Sequence, residues 1–251
     1  MLKLSVIVPT FNEGDNVKPL YEGVRSALEG IPFELLFVDD SVDDTPERIK
    51  VLQETAPEVR LIHRDTDRGL SSAVIRGFSE AEGEFLAVMD GDLQHPPRLL
   101  RPMVRCMEEG YDLCLPSRFV PGGSDGGLNI LRKFISWTAR KIGNLSLRSL
   151  RKFSDVTGGY FMLRREILEG AELKPLGWKI LVEVLAMTKY EKVCEVPYTF
   201  EERNAGSSKI SMKVTLEYLQ QLRELRHREV RKPAVSITVK SPKEVADLEK
   251  V

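Results

Sequence analysis

Two aspartates and a glutamine at alternate positions are the residues of this chain best suited to hold a metal ion. Asp90, Asp92 and Gln94 directly follow the apolar run from Phe85 to Met89. Five consecutive apolar residues are typical of a strand that is covered on both faces, so the three side chains fall just beyond a buried strand. Their oxygens suit a hard cation such as Mg²⁺ or Mn²⁺, which keeps open positions for substrate phosphate oxygens. An acidic turn that merely ends the strand would contain the same residue types.

Alternating strand-like and helix-like segments predict how those side chains are positioned. The apolar runs predict strands at 4–9, 33–38, 59–63, 85–89 and 113–116, and the segments between them predict helices at 16–28, 45–56, 70–81 and 97–109. Further strands are expected at 161–163 and 193–200, with a helix at 180–189 between them. Repeated units of this length predict an α/β fold with a doubly wound, mostly parallel sheet. Ligands of such sheets bind beyond the carboxyl ends of the strands, where the polar clusters 9–13, 39–45 and 90–92 fall.

Composition limits the classes of protein to which this chain can belong. Its 251 residues fit one large domain, or one domain with an extension, and carry a net charge of -1. A near-neutral chain is not expected to bind nucleic acid in general. Its three cysteines, Cys106, Cys114 and Cys194, show no metal-ligand spacing, which favours a reduced cytosolic compartment. No run reaches about 18 apolar residues, so no transmembrane helix is expected.

Two segments of the second half are candidates for contact with a lipid or a phosphate. A glycine-rich stretch at 121–127, which predicts a mobile loop or a plain linker, leads into a basic helix at 128–150. That helix could lie on an anionic membrane surface or bind phosphate, or it could pack on the sheet with its basic face in water. An amphipathic helix is predicted at 210–228, and no chemistry is evident in the short tail at 230–251.

Together these motifs resemble the A-type (GT-A) glycosyltransferases of family 2, whose nucleotide-binding sheet carries an Asp-x-Asp metal site. Within that family the sequence is most similar to the polyprenyl-phosphate, or dolichol-phosphate, mannosyltransferases. Three features carry the resemblance: the segment 90–97, the pair Arg132 and Ser136 on the basic helix, and the segment 203–209. The resemblance implies a glycosyltransferase domain at 1–209, followed by the amphipathic helix and tail at 210–251.

The resemblance also implies which residues bind the nucleotide sugar. The implied set is Pro9, Phe11, Glu13, Val38, Asp39, Asp40, Asp90, Gly91, Arg118, Lys179, Arg203 and Lys209. An aromatic ring can cover a base or a ribose, and carboxylates accept hydrogen bonds from base N–H and ribose O–H groups. Asn12 and Asp40 could instead only cap the helices that follow them. The chain lacks the residue, often glycine, that usually separates the paired aspartates from Ser41, which leaves the base preference open.

The same resemblance implies roles in catalysis. Asp92 and Gln94 would bind the metal, a Mg²⁺ or Mn²⁺ ion, and Asp90 would contact the metal or the ribose. The implied catalytic residues are Asp92, Arg118 and Arg203, and the residues implied for the acceptor phosphate are Arg118, Arg132, Ser136, Arg203 and Lys209. Asp155 would hold a sugar hydroxyl. Lys179 and Glu183 match family positions near the donor, although an ion pair between them explains their spacing equally well.

A phosphate acceptor changes what the site must supply. A sugar hydroxyl is a weak nucleophile until a general base removes its proton, whereas a phosphate monoester, with a second pKa of about 6, is already largely dianionic at pH 7. The expected reaction is therefore one in-line displacement at the anomeric carbon, with inversion and without a catalytic base. None of His63, His95 and His227 is assigned as a base, and His95 is expected to support the metal motif.

The resemblance leaves alternatives for the function. The predicted reaction transfers mannose from GDP-mannose to a polyprenyl (dolichyl) phosphate, and the nearest alternative takes UDP-glucose as donor. Transfer to a saccharide hydroxyl would need a catalytic carboxylate, and the Gln-x-x-Arg-Trp motif of processive enzymes is absent. A non-catalytic nucleotide-sugar-binding subunit of a membrane complex is a further alternative. A dehydrogenase is disfavoured because no Gly-x-Gly-x-x-Gly follows the first strand.

The two candidate lipid-facing helices also predict a location. We expect the protein in the cytoplasm, attached peripherally to the cytosolic face of a membrane through the helices at 128–150 and 210–228. A membrane-anchoring protein is a candidate partner for that attachment.

Overall fold

An eight-stranded sheet with helices on both faces forms the framework. The computed structural model describes residues 2–126, 130–174, 176–201, 212–230, 232 and 234–250, and it describes only the backbone of residues 130–136 and 212–213. The strands are β1 Leu4–Thr10, β2 Phe33–Asp39, β3 Val59–His63, β4 Phe85–Val88, β5 Leu113–Ser117, β6 Phe161–Arg164, β7 Lys192–Pro197 and β8 Ser236–Val239. The α-helices are α1 Gly14–Ala27, α2 Thr45–Gln53, α3 Leu70–Glu80, α4 Leu100–Glu108, α5 Ile130–Ser146, α6 Ile180–Met187, α7 Met212–Arg228 and α8 Pro242–Glu249.

The strand order is that of a doubly wound sheet. The strands lie in the order β3-β2-β1-β4-β6-β5-β7-β8, and among these strands only β6 runs antiparallel to its neighbours. In β1, Ile7 lies opposite Leu36 of β2 on one side and Val88 of β4 on the other. The carboxyl ends of β1, β2 and β4 therefore share one edge of the sheet. The predicted α/β fold with a mostly parallel sheet is confirmed.

The sheet separates two apolar cores. In β4, Leu86 and Val88 belong to the core under α3, α6 and α7, whereas Phe85 and Ala87 belong to the core under α1, α2, α4 and α8. Side chains of successive strand residues point to opposite faces, so a strand covered on both faces needs apolar residues at every position. That requirement explains the unbroken apolar run that precedes Asp90.

Several predicted elements have other bounds than expected, and three of them differ most clearly. The basic helix predicted at 128–150 stops at Ser146, and a 3₁₀ turn follows at Arg148–Leu150. The helix ends there because the backbone of Leu147 is extended (φ -121°, ψ 133°), and both Leu147 and Leu150 are fully buried. The helix predicted at 97–109 begins as a 3₁₀ turn at Pro97–Leu99. The strand predicted at 193–200 ends at Pro197, after which residue 199 bridges to the segment after β5.

The tail contains a helix that the sequence analysis did not predict. Strand β8 comes first in the tail and pairs in parallel with β7. Helix α8 then begins with a capping box, in which the Ser241 hydroxyl accepts from the Glu244 N–H and the Glu244 carboxylate accepts from the Ser241 N–H. Val245 of α8 is buried in the second core. The division of the chain between residues 209 and 210 stays a prediction.

Candidate active site

A cleft of about 730 Å³ opens at the carboxyl edge of β1, β2 and β4. It brings together seven of the residues predicted to bind the nucleotide sugar or the metal: Pro9, Phe11, Glu13, Asp40, Asp90, Gly91 and Asp92. They converge because parallel neighbouring strands deliver their following loops to the same edge. Gly91 allows close packing there, since a Cβ at this position would lie 3.2 Å from Cγ2 of Thr10.

The loop after β1 is fixed by the loop after β2. The Asn12 N–H donates to the Ser41 hydroxyl (2.8 Å), and Asn12 Oδ1 accepts from the Val42 N–H (3.0 Å). Asn12 also has a positive φ of 58°, which turns the chain sharply beside the cleft. These contacts leave 42% of Phe11 exposed at the cleft, where its ring is placed to cover a base or a ribose. Asn12 therefore joins two loops, and the alternative that it caps α1 is wrong.

Asp40 reaches the cleft as half of an ion pair. Its two oxygens accept from Nε and Nη2 of Arg64, at 2.8 and 2.7 Å, and Oδ2 also accepts from the Gly69 N–H (2.8 Å). Asp40 thus stabilises the start of α3. It does not cap α2, the helix that follows it in sequence, so the alternative that it only caps that helix is wrong. Its predicted contact with the nucleotide stays a prediction, but a ligand there would meet an Asp40–Arg64 pair.

Val38 and Asp39 differ from their predicted placement. Val38 is fully buried in the core, and neither side chain lines the cleft. The Asp39 carboxylate accepts from the hydroxyls of Thr10 and Ser41 and lies 2.7 Å from Nδ1 of His63. These contacts join the ends of β1, β2 and β3, so in this structure Asp39 organises the cleft floor from below.

The acidic segment after β4 forms a compact turn at the cleft. Leu93 has a positive φ of 63°, and Asp92 Oδ1 accepts from the Gln94 N–H (3.1 Å). Gln94 Nε2 donates to the Glu201 carbonyl (3.1 Å). The amide oxygen, which does not take part in that contact, is the atom that could coordinate a metal ion. Carboxylate and amide oxygens together fit a hard divalent cation. Their role as ligands stays a prediction.

Gly159 supplies the space that the Asp90 side chain occupies. A Cβ at position 159 would lie 3.1 Å from Oδ1 of Asp90 and 3.4 Å from Cε1 of His95. Contacts that short would displace the Asp90 carboxylate. Residue 159 precedes β6, whose antiparallel direction brings this loop to the cleft edge.

His95 holds the backbone of Asp90 from behind. Its Nδ1 accepts from the Asp90 N–H (3.0 Å), which places the ring proton of a neutral imidazole on Nε2. The ring is buried and stacks on Tyr160, with centroids 5.0 Å apart. His95 is therefore placed to position the acidic turn, as expected from the sequence.

We expect His95→Ala to weaken Mn²⁺ affinity by about 10- to 100-fold, because residues that orient metal ligands have effects of that size. The substitution leaves the Asp90 N–H without its buried acceptor. Calorimetric titration of Mn²⁺ in the presence of GDP measures the change. His227→Ala, at an exposed position of α7, is the matched control. Equal Mn²⁺ affinities for both variants would contradict this role of His95.

Arg118 and Asp155 form a buried ion pair. Arg118 Nε donates to Asp155 Oδ2 (2.7 Å) and Nη2 donates to Oδ1 (3.2 Å). Burial lowers the pKa of the Arg118 guanidinium, but the charge and hydrogen bonds of Asp155 more than offset that effect, so the pKa lies above its ordinary value. Asp155 also accepts from the N–H and hydroxyl of Thr157. In this structure Asp155 holds an arginine, whereas the sequence analysis assigned it to a sugar hydroxyl.

Lys179 adds a second cation beside this pair. Lys179 is half-buried, and its ammonium donates to the Thr157 carbonyl (3.0 Å). Burial and the nearby Arg118 lower the pKa of Lys179, and the carboxylates of Asp155 and Asp90 oppose that shift. Lys179 therefore lies within electrostatic reach of the acidic turn. Lys179 and Glu183 do not form the ion pair that was the alternative. Oε1 of Glu183 instead lies 3.3 Å from Nη1 of Arg228.

Four predicted residues cannot be placed against the cleft. Arg132 and Ser136 lie on α5, but their side chains are outside the described part of the chain. Arg203 and Lys209 lie outside the described residues altogether. Their roles at the diphosphate and the acceptor phosphate stay predictions.

The cleft also contains residues that the sequence analysis missed. Arg48, Arg68 and Trp178 line it. Arg68 lies in the polar loop after β3, so the rule applied to the loops after β1, β2 and β4 would have found it. Trp178 directly precedes Lys179, but a lone tryptophan far along the chain gives no signal of its own.

Comparison with known proteins places the chain in a family. A model described as Glycosyl transferase family 2 matches residues 5–170. The dolichol-phosphate mannosyltransferase of Pyrococcus furiosus is 44% identical over 225 residues, which are 89% of this chain and 64% of that protein, so the chain spans only that share of its relative. The dolichol-phosphate mannosyltransferase of Saccharomyces cerevisiae is 38% identical over 237 residues, with 89% of this chain and 87% of that protein covered. The predicted resemblance is confirmed.

Solved structures with the same fold are more distant in sequence. Mannosyl-3-phosphoglycerate synthase from Rubrobacter xylanophilus superposes with a TM-score of 0.66 at 19% identity, covering 90% of this chain and 75% of that one. Glucosyl-3-phosphoglycerate synthase from Mycobacterium tuberculosis, in complex with Mn²⁺, UDP and glucosyl-3-phosphoglycerate, gives 0.62 at 17% identity, with 90% and 76% covered. These likenesses concern the fold and confirm the GT-A type. The family match covers about two thirds of the chain and includes the loops after β1, β2 and β4 that line the cleft, so the chain belongs to glycosyl transferase family 2.

Proposed function

We propose that this protein is a glycosyltransferase that transfers mannose from GDP-mannose to a polyprenyl (dolichyl) phosphate, with inversion at the anomeric carbon. The observation that carries the proposal is the meeting of Phe11 with Asp90 and Asp92 in one cleft of a family 2 chain. The names of its relatives support mannose as the transferred sugar and dolichol phosphate as the acceptor.

The proposed site has an aromatic side for the nucleoside and a charged side for the phosphates. Phe11 would cover the base or ribose, and Asp92, with Asp90 and Gln94, would hold a Mg²⁺ or Mn²⁺ ion. When bound, such an ion neutralises the charge that develops as the nucleotide diphosphate leaves. The Mn²⁺ in a solved relative of this fold is consistent with a divalent cation.

Fixed cations would orient the two phosphates. Arg118, held by Asp155, and Lys179, bound to the Thr157 carbonyl, lie beside the loop that precedes β6. Further candidates are Arg132, Ser136, Arg203 and Lys209. Preorganised positive charge stabilises phosphate oxygens without reorganisation during the reaction. A dianionic acceptor phosphate needs no proton removed, which fits the inward placement of His95.

The first experiment measures transfer from GDP-mannose and, separately, from UDP-glucose to a polyprenyl phosphate, with Mg²⁺ and with chelator. Metal-dependent product from GDP-mannose alone supports the proposal. Product from UDP-glucose alone would retain the mechanism and replace the donor. Nucleotide-sugar binding without product from either donor would favour the non-catalytic subunit.

We also propose peripheral attachment to the cytosolic face of a membrane. Among the described residues, no helix combines the length and apolar character needed to cross a bilayer. Helix α5 exposes Trp137 (47%), Lys141 and Leu145 (76%), which are four residues apart and so share one face. Arg140 of the same helix does not lie on this face, because it points inward and donates to the Ser154 carbonyl (2.8 Å). An aromatic, a lysine and a leucine on one face suit an anionic lipid interface.

We expect Trp137→Glu combined with Leu145→Glu to weaken binding to anionic vesicles about tenfold or more, because two large apolar side chains would no longer enter the lipid. Co-sedimentation at low salt measures this change. Val51→Glu is the control, since Val51 is exposed on α2. Failure of the unaltered protein to co-sediment would contradict direct attachment.

A further inference from the structure

The three cysteines meet inside the protein although they are far apart in sequence. Cys106 lies on α4, and Cys114 and Cys194 lie opposite each other on β5 and β7. All three are fully buried. Their sulfur atoms lie within 4.8 Å of one another, and those of Cys106 and Cys194 are 3.4 Å apart. The sequence analysis found no metal-ligand spacing because strand pairing and one helix crossing, not a local motif, bring them together.

The sulfur triangle has the dimensions of a thiolate metal site. Three thiolates bound at about 2.3 Å from one ion in a trigonal plane lie roughly 4.0 Å apart, within the range spanned by these three sulfurs. Packing in an apolar core explains why the three cysteines are buried. It does not explain why their sulfur atoms converge. A disulfide would need two sulfurs at about 2.05 Å and would leave the third without a role.

A lysine lies near two corners of the triangle. Lys240, whose ammonium lies 2.8 Å from Glu109, interacts electrostatically with Cys106 and Cys194. A positive charge is therefore close to where thiolate charge would form.

The donor set selects the metal. Three soft sulfur ligands suit Cu(I), whereas Zn²⁺ in a structural site takes a fourth ligand. Within the described residues, no histidine, aspartate or glutamate joins the cysteine group. We propose that Cys106, Cys114 and Cys194 form a site for one thiophilic monovalent ion of the Cu(I) class, separate from the sugar-transfer cleft. As each sulfur–metal bond forms, the thiol proton passes to solvent, and no electron is transferred.

The tail covers this site. Val245 of α8 packs in the same core as the three cysteines, and β8 pairs with the strand that carries Cys194. A bound ion would join α4, β5 and β7 beneath that cover. It would therefore raise the melting temperature of the protein by binding the native state only.

The test is anaerobic titration of the reduced full chain with Cu(I) in competition with a chromophoric Cu(I) chelator. We expect the folded protein to retain one equivalent and to show a raised Tm, and Cys106→Ser and Cys194→Ser to lose both effects. Asp92→Asn, altered in the cleft, is the matched control and should retain the equivalent. Failure of the unaltered protein to hold Cu(I) would overturn the proposal, as would equal retention by a variant with all three cysteines changed to serine.

A second measurement avoids dependence on how the variants fold. X-ray absorption of the Cu(I)-loaded unaltered protein should show three sulfur neighbours. Nitrogen or oxygen neighbours in place of sulfur would overturn the site. A parallel titration with Zn²⁺ should give weaker retention than Cu(I), and tighter retention would contradict a three-coordinate site.

Discussion

Asp92→Asn is expected to lower kcat/KM for sugar transfer by about 10³-fold while the protein stays folded. Asp92 is only 4% exposed and lies at the cleft. Of the two candidate aspartate ligands, it is the one better shielded from water. Asparagine keeps the shape of the side chain but removes that charge. Loss of one preorganised electrostatic contact commonly costs about 10²- to 10³-fold in rate, and a metal ligand should reach the upper end. Steady-state kinetics with purified protein measures the effect.

The control for this substitution is another aspartate. Asp247→Asn lies on the exposed side of α8 and should leave kcat/KM unchanged. If Asp92 acts through the metal, the apparent Mn²⁺ constant of Asp92→Asn should also rise, so that excess metal restores part of the rate. Full activity of Asp92→Asn at ordinary metal concentrations would refute the assignment of Asp92 as a ligand.

Arg118→Met is expected to cost about 3–5 kcal/mol in the free energy of unfolding, besides abolishing most activity. Its side chain is 10% exposed and its partner Asp155 is fully buried, so the substitution leaves a buried carboxylate without its cation. Removing one member of a buried pair has costs of this order because the remaining charge is no longer compensated. Urea denaturation at neutral pH gives the change in unfolding free energy.

A double variant separates the structural role of Arg118 from its catalytic one. Arg118→Met combined with Asp155→Asn removes both charges and should recover most of the lost stability. Activity should stay low, because the cation proposed to face the phosphates is still missing. Recovery of activity in the double variant would show that Arg118 acts only by compensating Asp155.

The sequence was sufficient for the sheet and for the acidic turn. Both follow from local rules, since apolar runs of strand length alternate with helices and polar residues fall at strand ends. Helix α8 could not be predicted from apolar periodicity because the segment is short and highly charged, although Ser241 and Glu244 have the spacing of a capping box. The end of α5 was misplaced because burial of Leu147 and Leu150 depends on tertiary packing.

The electrostatic partners in the site could not be predicted from spacing. Asp40 with Arg64, and Arg118 with Asp155, join residues 24 and 37 positions apart. Such pairs depend on which loops meet at the sheet edge, and a single sequence does not contain that register. The cysteine cluster has the same origin. What could be predicted is thus each strand with the polar loop that follows it. The contacts between different loops could not be predicted.

The place of β6 between β4 and β5 fixes the order in which the chain can complete its sheet. In the final structure β5 pairs with β6 and β7, both of which follow it in sequence. During synthesis β5 therefore leaves the ribosome before either partner exists, and the neighbouring edge of β4 also remains open until residues 161–164 appear. Unpaired strand edges are sites of misassembly in growing chains. Slower synthesis between β5 and β6 would prolong that exposure, so the yield of folded protein should depend most on events in this interval.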